Sequence, residues 1–248
     1  MPANKPTWRQ RELLQRRPKR SPVMFQSWEH LLFLHWEIDA KSVQATLPPG
    51  LFVDTHEHKA YIGIVPFCMR RIRPRFLPSV PYVSNFLECN VRTYVHDAEG
   101  VPGVWFYSLD TDRWFAHWLA RTFFHLPYFW ASMGAKRTDE INYDVRRRDQ
   151  HEASHYLYSP VSEEHPARPE SLDFFLLERY LLYAHSKEKE QLYRGRVHHA
   201  PYQVSEVNVP TWDTLPISWN GLPEVLGNPI HTCTSRRVDV EIFGIEKL

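Results

Sequence analysis

Residues 86–97 read FLECNVRTYVHD. Side chains of a strand alternate between two faces, so Glu88, Asn90, Arg92 and Tyr94 share one face here and Cys89, Val91, Thr93 and Val95 share the other. A turn follows at Asp97 to Gly100, and GVWFYSLD (103–110) returns as the antiparallel partner. The face that carries Glu88, Asn90 and Arg92 has two readings. On the concave side of a sheet, a carboxylate and a guanidinium would be buried together, which is costly unless they pair or hold a ligand. On an outer face they would form a solvated ladder of charges. The residues themselves leave both open.

Upstream, SWEHLLFLHWEID (27–39) is apolar at successive positions, the pattern of a strand buried on both faces, with Leu31, Phe33 and His35 on one side and Leu32, Leu34 and Trp36 on the other. Ala40 to Leu47 reads as a short helix ended by Pro48, Pro49 and Gly50. LFVDTH (51–56) and KAYIGIVPFCMRRIR (59–73) read as a hairpin, and Pro74, Pro78 and Pro81 mark an irregular loop. Downstream, residues 111–125 change to helical spacing, with Asp110 or Thr111 as cap and Pro127 as stop. Residues 130–158 suit exposed hairpins, and 171–186 fit a helix or a buried segment. Strands return at 197–209 and 236–245. With no βαβ rhythm, the expectation is an α+β fold of mainly antiparallel strands, a closed or partly closed sheet with a few flanking helices.

The 248 residues can bury a large core without disulfides, and Cys68, Cys89 and Cys233 form no C-x-x-C pair. A reducing, cytoplasmic setting and a soluble chain are the expectation, because no secretory signal and no apolar run long enough to span a membrane occurs. The formal charge of +1 hides an asymmetry. Lys5, Arg9, Arg11, Arg16, Arg17, Lys19 and Arg20 oppose Glu12 alone in the first twenty residues, and the rest of the chain is mildly acidic. Residues 1–22 therefore read as a basic arm and 23–248 as a single domain. The arm is a short helix from Pro6 to Arg17 lying on the acidic body, or simply mobile, or else a tether for nucleic acid or an anionic membrane, and it is the only place where nucleic acid would bind. No Gly-rich phosphate loop and no nucleophile elbow is present.

HEASH (151–155) matches the H-E-x-x-H zinc signature, which needs a helix to bring both imidazoles to one metal. YLYSP stops any helix soon after, and in a strand His151 and His155 would lie roughly 13 Å apart. A zinc hydrolase working through His151, Glu152 and His155 is thus a remote reading. Of the neighbours His198 and His199, one must face inward and the other outward.

Seven ordered blocks resemble the bacterial YqjF-like proteins of unknown function: SWEHLLFLHWEID, LPPGLFVDTHEHKAYIGIVPFCMRRIRPR, ECNVRTYV, GVWFYSLD, ARTFFHLPY, LLERYLLY and VHHAPY. That family is more distantly similar to acetoacetate decarboxylase, which implies a cone-shaped, largely antiparallel β-barrel with an internal pocket and turns the Glu88 face inward. The decarboxylase's Schiff-base lysine corresponds to Tyr128 and its cationic neighbour to Phe129, so both amines are missing. Its pocket glutamate matches Glu88 and its helix arginine matches Arg121. The resemblance implies a small-molecule pocket for a carboxylic or keto acid, without cofactor or metal. Glu88, Tyr128 and Arg121 are the candidate catalytic groups, and Asn90, Arg92, Ser108, Tyr183 and His198 the candidate ligand-binding groups. A non-catalytic binding protein and an enzyme using acid–base chemistry on a carbonyl both fit. The ligand, any reaction and the oligomeric state stay open.

Overall fold

The computed structural model describes residues 4–80, 83–113 and 125–248. In chain order they form α1 (Trp8–Leu14), β1 (Met24–Ile38), α2 (Ala40–Thr46), β2 (Phe52–Val53), β3 (Ala60–Pro74), β4 (Phe86–His96), β5 (Pro102–Thr111) and β6 (Tyr128–Arg137). There follow β7 (Ile141–Arg147), β8 (Ser154–Pro160), β9 (His165–Pro166), α3 (Leu172–Leu177), β10 (Leu181–Ser186) and β11 (Gln191–His199). The chain ends with β12 (Gln203–Val204), β13 (Val207–Thr211), α4 (Leu215–Ser218), β14 (His231–Ile242) and β15 (Glu246–Lys247). Of the helix expected over 111–125, residues 114–124 lie outside the described residues, and Thr111 ends β5.

The pairings run β4–β5–β10–β11–β14–β1–β3 and back to β4, a partly closed ring. Most contacts are antiparallel, but β5 meets both β10 and β6 in parallel, so the sheet is mixed. The β5–β10 contact rests on two residue pairs, Val104 with Leu182 and Trp105 with Tyr183. From β5 the sheet also continues as a wing, β6–β7–β8–β13, which folds back over the outside of β1, β3 and β4.

This arrangement explains why the centre of β1, Leu31 to Leu34, is apolar at successive positions. Leu31 and Phe33 face the ring interior, while Leu32, Leu34 and Trp36 pack outward with Ile62, Ile64 and Val91 against Tyr143, Val145, Tyr156 and Tyr158 of the wing. Two bulges keep both ends of the long strands aimed inward as the sheet curves. Left-handed His30 shifts β1, so that Trp28 and Leu31 both reach the interior, and left-handed Arg71 does the same for Met69 and Ile72 of β3. Tyr158 of the wing donates to the His30 carbonyl at 2.6 Å and so pins the first bulge.

Helix α3, capped by Ser171, plugs one end of the ring with Phe174, Phe175, Leu176 and Leu177, all buried. The segment 171–186 is thus a helix followed by strand β10. The basic N-terminal segment lies against the same end: Arg11 of α1 is buried and makes two hydrogen bonds of 2.7 Å to Asp54, which Arg179 also contacts at 2.7 Å. Arg17 and Arg20 pair with Glu241 and Glu246. One local expectation fails. Residues 51–56 do not form a hairpin with β3; β2 pairs with the far end of β4, and only a single bridge, His56 to Lys59, joins the turn, where Glu57 and His58 are left-handed. Among the described residues no helix is long and apolar enough to cross a membrane.

Candidate functional site

The ring encloses a cavity of about 180 Å³. Its walls are apolar on almost every strand: Trp28 and Leu31 from β1, Val65 and Phe67 from β3, Phe106 and Leu109 from β5, Leu182 from β10, Val197 from β11 and Ile242 from β14. Strand β4 differs. Buried at all of its positions, it points Glu88, Asn90 and Arg92 into the cavity. Alternation therefore places these three side chains on the concave side, and the solvated ladder is excluded for them.

Glu88 is 2% exposed, and its Oε2 accepts a hydrogen bond of 2.8 Å from the Tyr128 hydroxyl. Burial pushes its carboxyl up from an ordinary 4.5 to about 7, against the hydrogen bonds from Tyr128 and Asn90, which favour the ionised form; the negative charge of Asp110 adds to the rise. Burial, reinforced by Glu88, holds the Tyr128 phenol well above 10, so it stays a donor. Asn90 Oδ1 is buried with no hydrogen-bond partner. Arg92, 8% exposed, donates from Nη2 to the Leu176 carbonyl of α3 at 3.2 Å, but its Nε is buried without a partner. No carboxylate lies within ion-pair distance of Arg92 among the described residues. Its guanidinium sits 5.5 Å from the Phe33 ring and 5.7 Å from the Tyr94 ring, beside the plug. A buried cation, an unsatisfied amide oxygen and a carboxyl that titrates near neutrality are all aimed into one apolar space.

The other candidate residues lie elsewhere. Ser108 is fully buried but off the cavity, because a bulge at Tyr107 breaks the β4–β5 register between Val91/Ser108 and Arg92/Phe106. The bulge turns Leu109 inward and sends Ser108 to accept from Asn220 at 2.9 Å. Tyr183 points outside the ring, where its hydroxyl donates to the Val101 carbonyl at 2.7 Å and to Asp97 at 3.0 Å; its neighbour Leu182 lines the cavity instead. His198 is the outward member of its pair. His199 faces in, stacked 4.5 Å from Tyr180 with the Tyr202 ring tilted 4.7 Å away, and burial lowers its pKa to about 4. Arg121 lies outside the described residues. His151 sits in a turn and His155 on β8, so the HEASH segment is not the helix that the zinc signature needs. Among the described residues no lysine lines the cavity.

Sequence reasoning missed a hydrogen-bonded chain behind Arg92. The Tyr94 hydroxyl bonds His35 Nε2 at 2.7 Å, His35 Nδ1 meets His231 Nδ1 at 2.9 Å, and His231 Nε2 meets Asp173 at 3.0 Å. Burial, with His231 and Arg92 adding repulsion, holds the His35 pKa well below its ordinary value. One proton fits each link, and the tautomers of the two imidazoles set which partner donates. Gly63 makes the room, since a Cβ there would stand 2.7 Å from the His35 ring. The sequence separation of 196 between the two histidines hid the pair from any local pattern.

A model of the DUF2071 family, described as an uncharacterized conserved protein, matches residues 25–239. The uncharacterized protein YqjF of Bacillus subtilis strain 168 is 40% identical over 195 residues, covering 76% of this chain and 79% of its own. Among solved structures, the enduracididine biosynthesis enzyme MppR complexed with pyruvate superposes with a TM-score of 0.63 at 11% identity over 92% of this chain and 91% of its own. An acetoacetate decarboxylase-like enzyme from Sphingomonas wittichii RW1 gives 0.62 at 10% identity over 92% and 94%. Acetoacetate decarboxylase from Legionella pneumophila gives 0.60 at 11% over 94% and 91%. At such identities the likeness carries the fold, which is acetoacetate decarboxylase-like.

Proposed function

The chain belongs to the DUF2071 family, and from that premise we propose that its internal cavity binds a small carboxylic or keto acid without forming a Schiff base. The observation that carries this reading is Arg92, a guanidinium buried in an apolar cavity with no counter-charge among the described residues. Burying an unpaired cation costs several kcal/mol, and a ligand carboxylate would offset that cost while engaging the free Nε. Asn90 Oδ1 offers an acceptor beside it for a ligand hydroxyl or acid proton. The structural neighbour MppR is complexed with pyruvate, which supports an acid as the ligand of this fold. The site also lacks the amine that a Schiff base requires: the position that the resemblance gives to the lysine holds Tyr128, whose hydroxyl is committed to Glu88.

A second reading, acid–base catalysis, is favoured by Glu88. A carboxyl with a pKa of about 7 can give and take a proton at neutral pH, and the Tyr128 phenol would steady a developing enolate or carboxylate. In this reading Arg92 binds the anionic group, and Arg121 joins it as an expectation of the resemblance. A thermal-shift screen of small carboxylic and keto acids, with hits tested for turnover, separates the two. Stabilisation without turnover favours the binder, turnover lost in Glu88→Gln favours the enzyme, and no stabilisation by any acid sinks both. Borohydride trapping with acetoacetate is expected to leave the mass of the chain unchanged, and a covalent adduct would overturn the loss of Schiff-base chemistry.

A further inference from the structure

Phe175 of the plug packs on Tyr61 and Tyr94, at the start of β3 and the end of β4. The loop that joins the other ends of these two strands stands at the opposite rim of the ring, where the cavity lining runs through Ile72 to the exposed Val83. Its backbone is tied down. The Ile72 N–H donates to the Ser84 carbonyl at 3.1 Å and closes the base, the Val80 N–H donates to Ser84 Oγ at 2.7 Å, and the Arg75 N–H donates to the Val23 carbonyl at 3.0 Å. The side chains on this frame are nevertheless apolar and in solvent: Phe76 is 86% exposed, and Leu77, Val80 and Val23 are exposed with it. Single apolar side chains scattered over a surface need no partner, but a cluster at the rim of a cavity marks an interaction site.

Charge says which partner fits. From Ala60 to Leu87 the chain carries Arg70, Arg71, Arg73 and Arg75 and no acidic residue. Arg71 pairs with Glu29 at 3.0 Å, but Arg73 and Arg75 have no ion-pair partner among the described residues. Each lies over a ring instead, Arg73 at 4.2 Å from Phe25 and Arg75 at 5.0 Å from Phe76. The basic N-terminal segment differs, because its Arg17 and Arg20 are engaged by Glu241 and Glu246. Aromatic and aliphatic side chains flanked by free guanidinium groups are what an anionic bilayer surface takes up: the apolar groups enter the acyl boundary while the arginine heads stay among the phosphates.

We propose that this rim, Phe76, Leu77, Val80 and Val83 with Arg73 and Arg75, docks on the surface of an anionic lipid bilayer. The proposal goes beyond the acid-binding reading and does not depend on it. Docked in this way, the rim brings the apolar lining at Ile72 and Val83 to the lipid boundary, so that a molecule with an apolar body reaches the cavity from the bilayer.

The test is co-sedimentation of the full chain with vesicles of phosphatidylcholine alone and of equal parts phosphatidylcholine and phosphatidylglycerol. Two double variants accompany it, Phe76→Ser with Leu77→Ser and Arg73→Gln with Arg75→Gln. None of these four residues lines the cavity, and melting curves show that the variants fold. The parent is expected to bind the anionic vesicles about tenfold or more tighter than the neutral ones, the gain that two unpaired cations supply, and to weaken as salt is raised. The serine pair should lose most of this binding, and the glutamine pair should lose the preference for anionic lipid. No binding of the parent to anionic vesicles, or binding undiminished in both variants, overturns the proposal. Self-association of the parent that the serine pair abolishes, without vesicle binding, assigns the rim to a second copy of the chain and overturns it equally.

Discussion

Two buried arginines on either side of one sheet, Arg92 8% and Arg147 3% exposed, meet opposite fates. On the wing side, Arg147 contacts Asp110 through two hydrogen bonds, of 2.7 and 3.1 Å, donates to the Trp219 carbonyl and lies 4.0 Å from the Phe129 ring. On the cavity side, Arg92 has one backbone carbonyl, two aromatic faces and a free Nε. The first is complete and structural. The second is half-satisfied and has no carboxylate partner among the described residues, whereas Arg11 and Arg179 share Asp54. The contrast is one of partners: Arg147 has a carboxylate, and Arg92, which faces the cavity, has none among the described residues.

The largest effect expected from breaking this contrast is on the paired side. Arg147→Met leaves Asp110 buried without its partner and should destabilise the chain by about 3–5 kcal/mol, read by urea unfolding; a loss under 1 kcal/mol would mean that the pair is not structural. Next comes the pH dependence carried by Glu88. The folded chain keeps a proton on this carboxyl that the unfolded chain releases from about pH 4.5, its ordinary value, so stability from this group is full below that value and falls as pH rises to about 7. Glu88→Gln should therefore flatten the stability profile between these limits and raise stability at pH 8 by up to about 3 kcal/mol. An unchanged profile would place the titration elsewhere.

Tyr128→Phe removes a hydrogen bond that favours the ionised carboxylate, so the Glu88 titration should move further upward, with a cost near 1 kcal/mol at pH 8. The carboxyl infrared band across pH reads this directly, and a downward move would contradict the assigned direction. The smallest effect is the most telling for the comparison. Arg92→Met, without ligand, should leave stability within about 1 kcal/mol of the parent or raise it, because the change removes an uncompensated charge from an apolar space.

How far the site was legible follows from where alternation holds. From Phe86 to His96 the strand is unbroken, so Glu88, Asn90 and Arg92 could be placed on one face from sequence, and the resemblance added Tyr128 as their neighbour. Ser108 was misplaced because a bulge one residue earlier reverses the face, and no local residue pattern announces it. Tyr183 and His198 failed for a related reason: the inward face of β10 and β11 is fixed by their register against β5 and β14, contacts of two and three residue pairs. The supposed hairpin at 51–73 failed because β2 pairs with the end of β4, at Val95 and His96, and not with β3. Double-sided burial of β1 was readable, but not that the wing covers its second face, nor that His35 meets a histidine from the opposite end of the chain.

The central claim is that Arg92 waits for a carboxylate. Its most direct test is calorimetric titration of wild type and Arg92→Met with one acid that stabilises the parent and with the matching carboxamide, which keeps shape and loses charge. The acid is expected to bind wild type at least about tenfold tighter than the amide, and the gap to disappear in a folded Arg92→Met. Equal binding of acid and amide by wild type, or an undiminished gap in the variant, would contradict it.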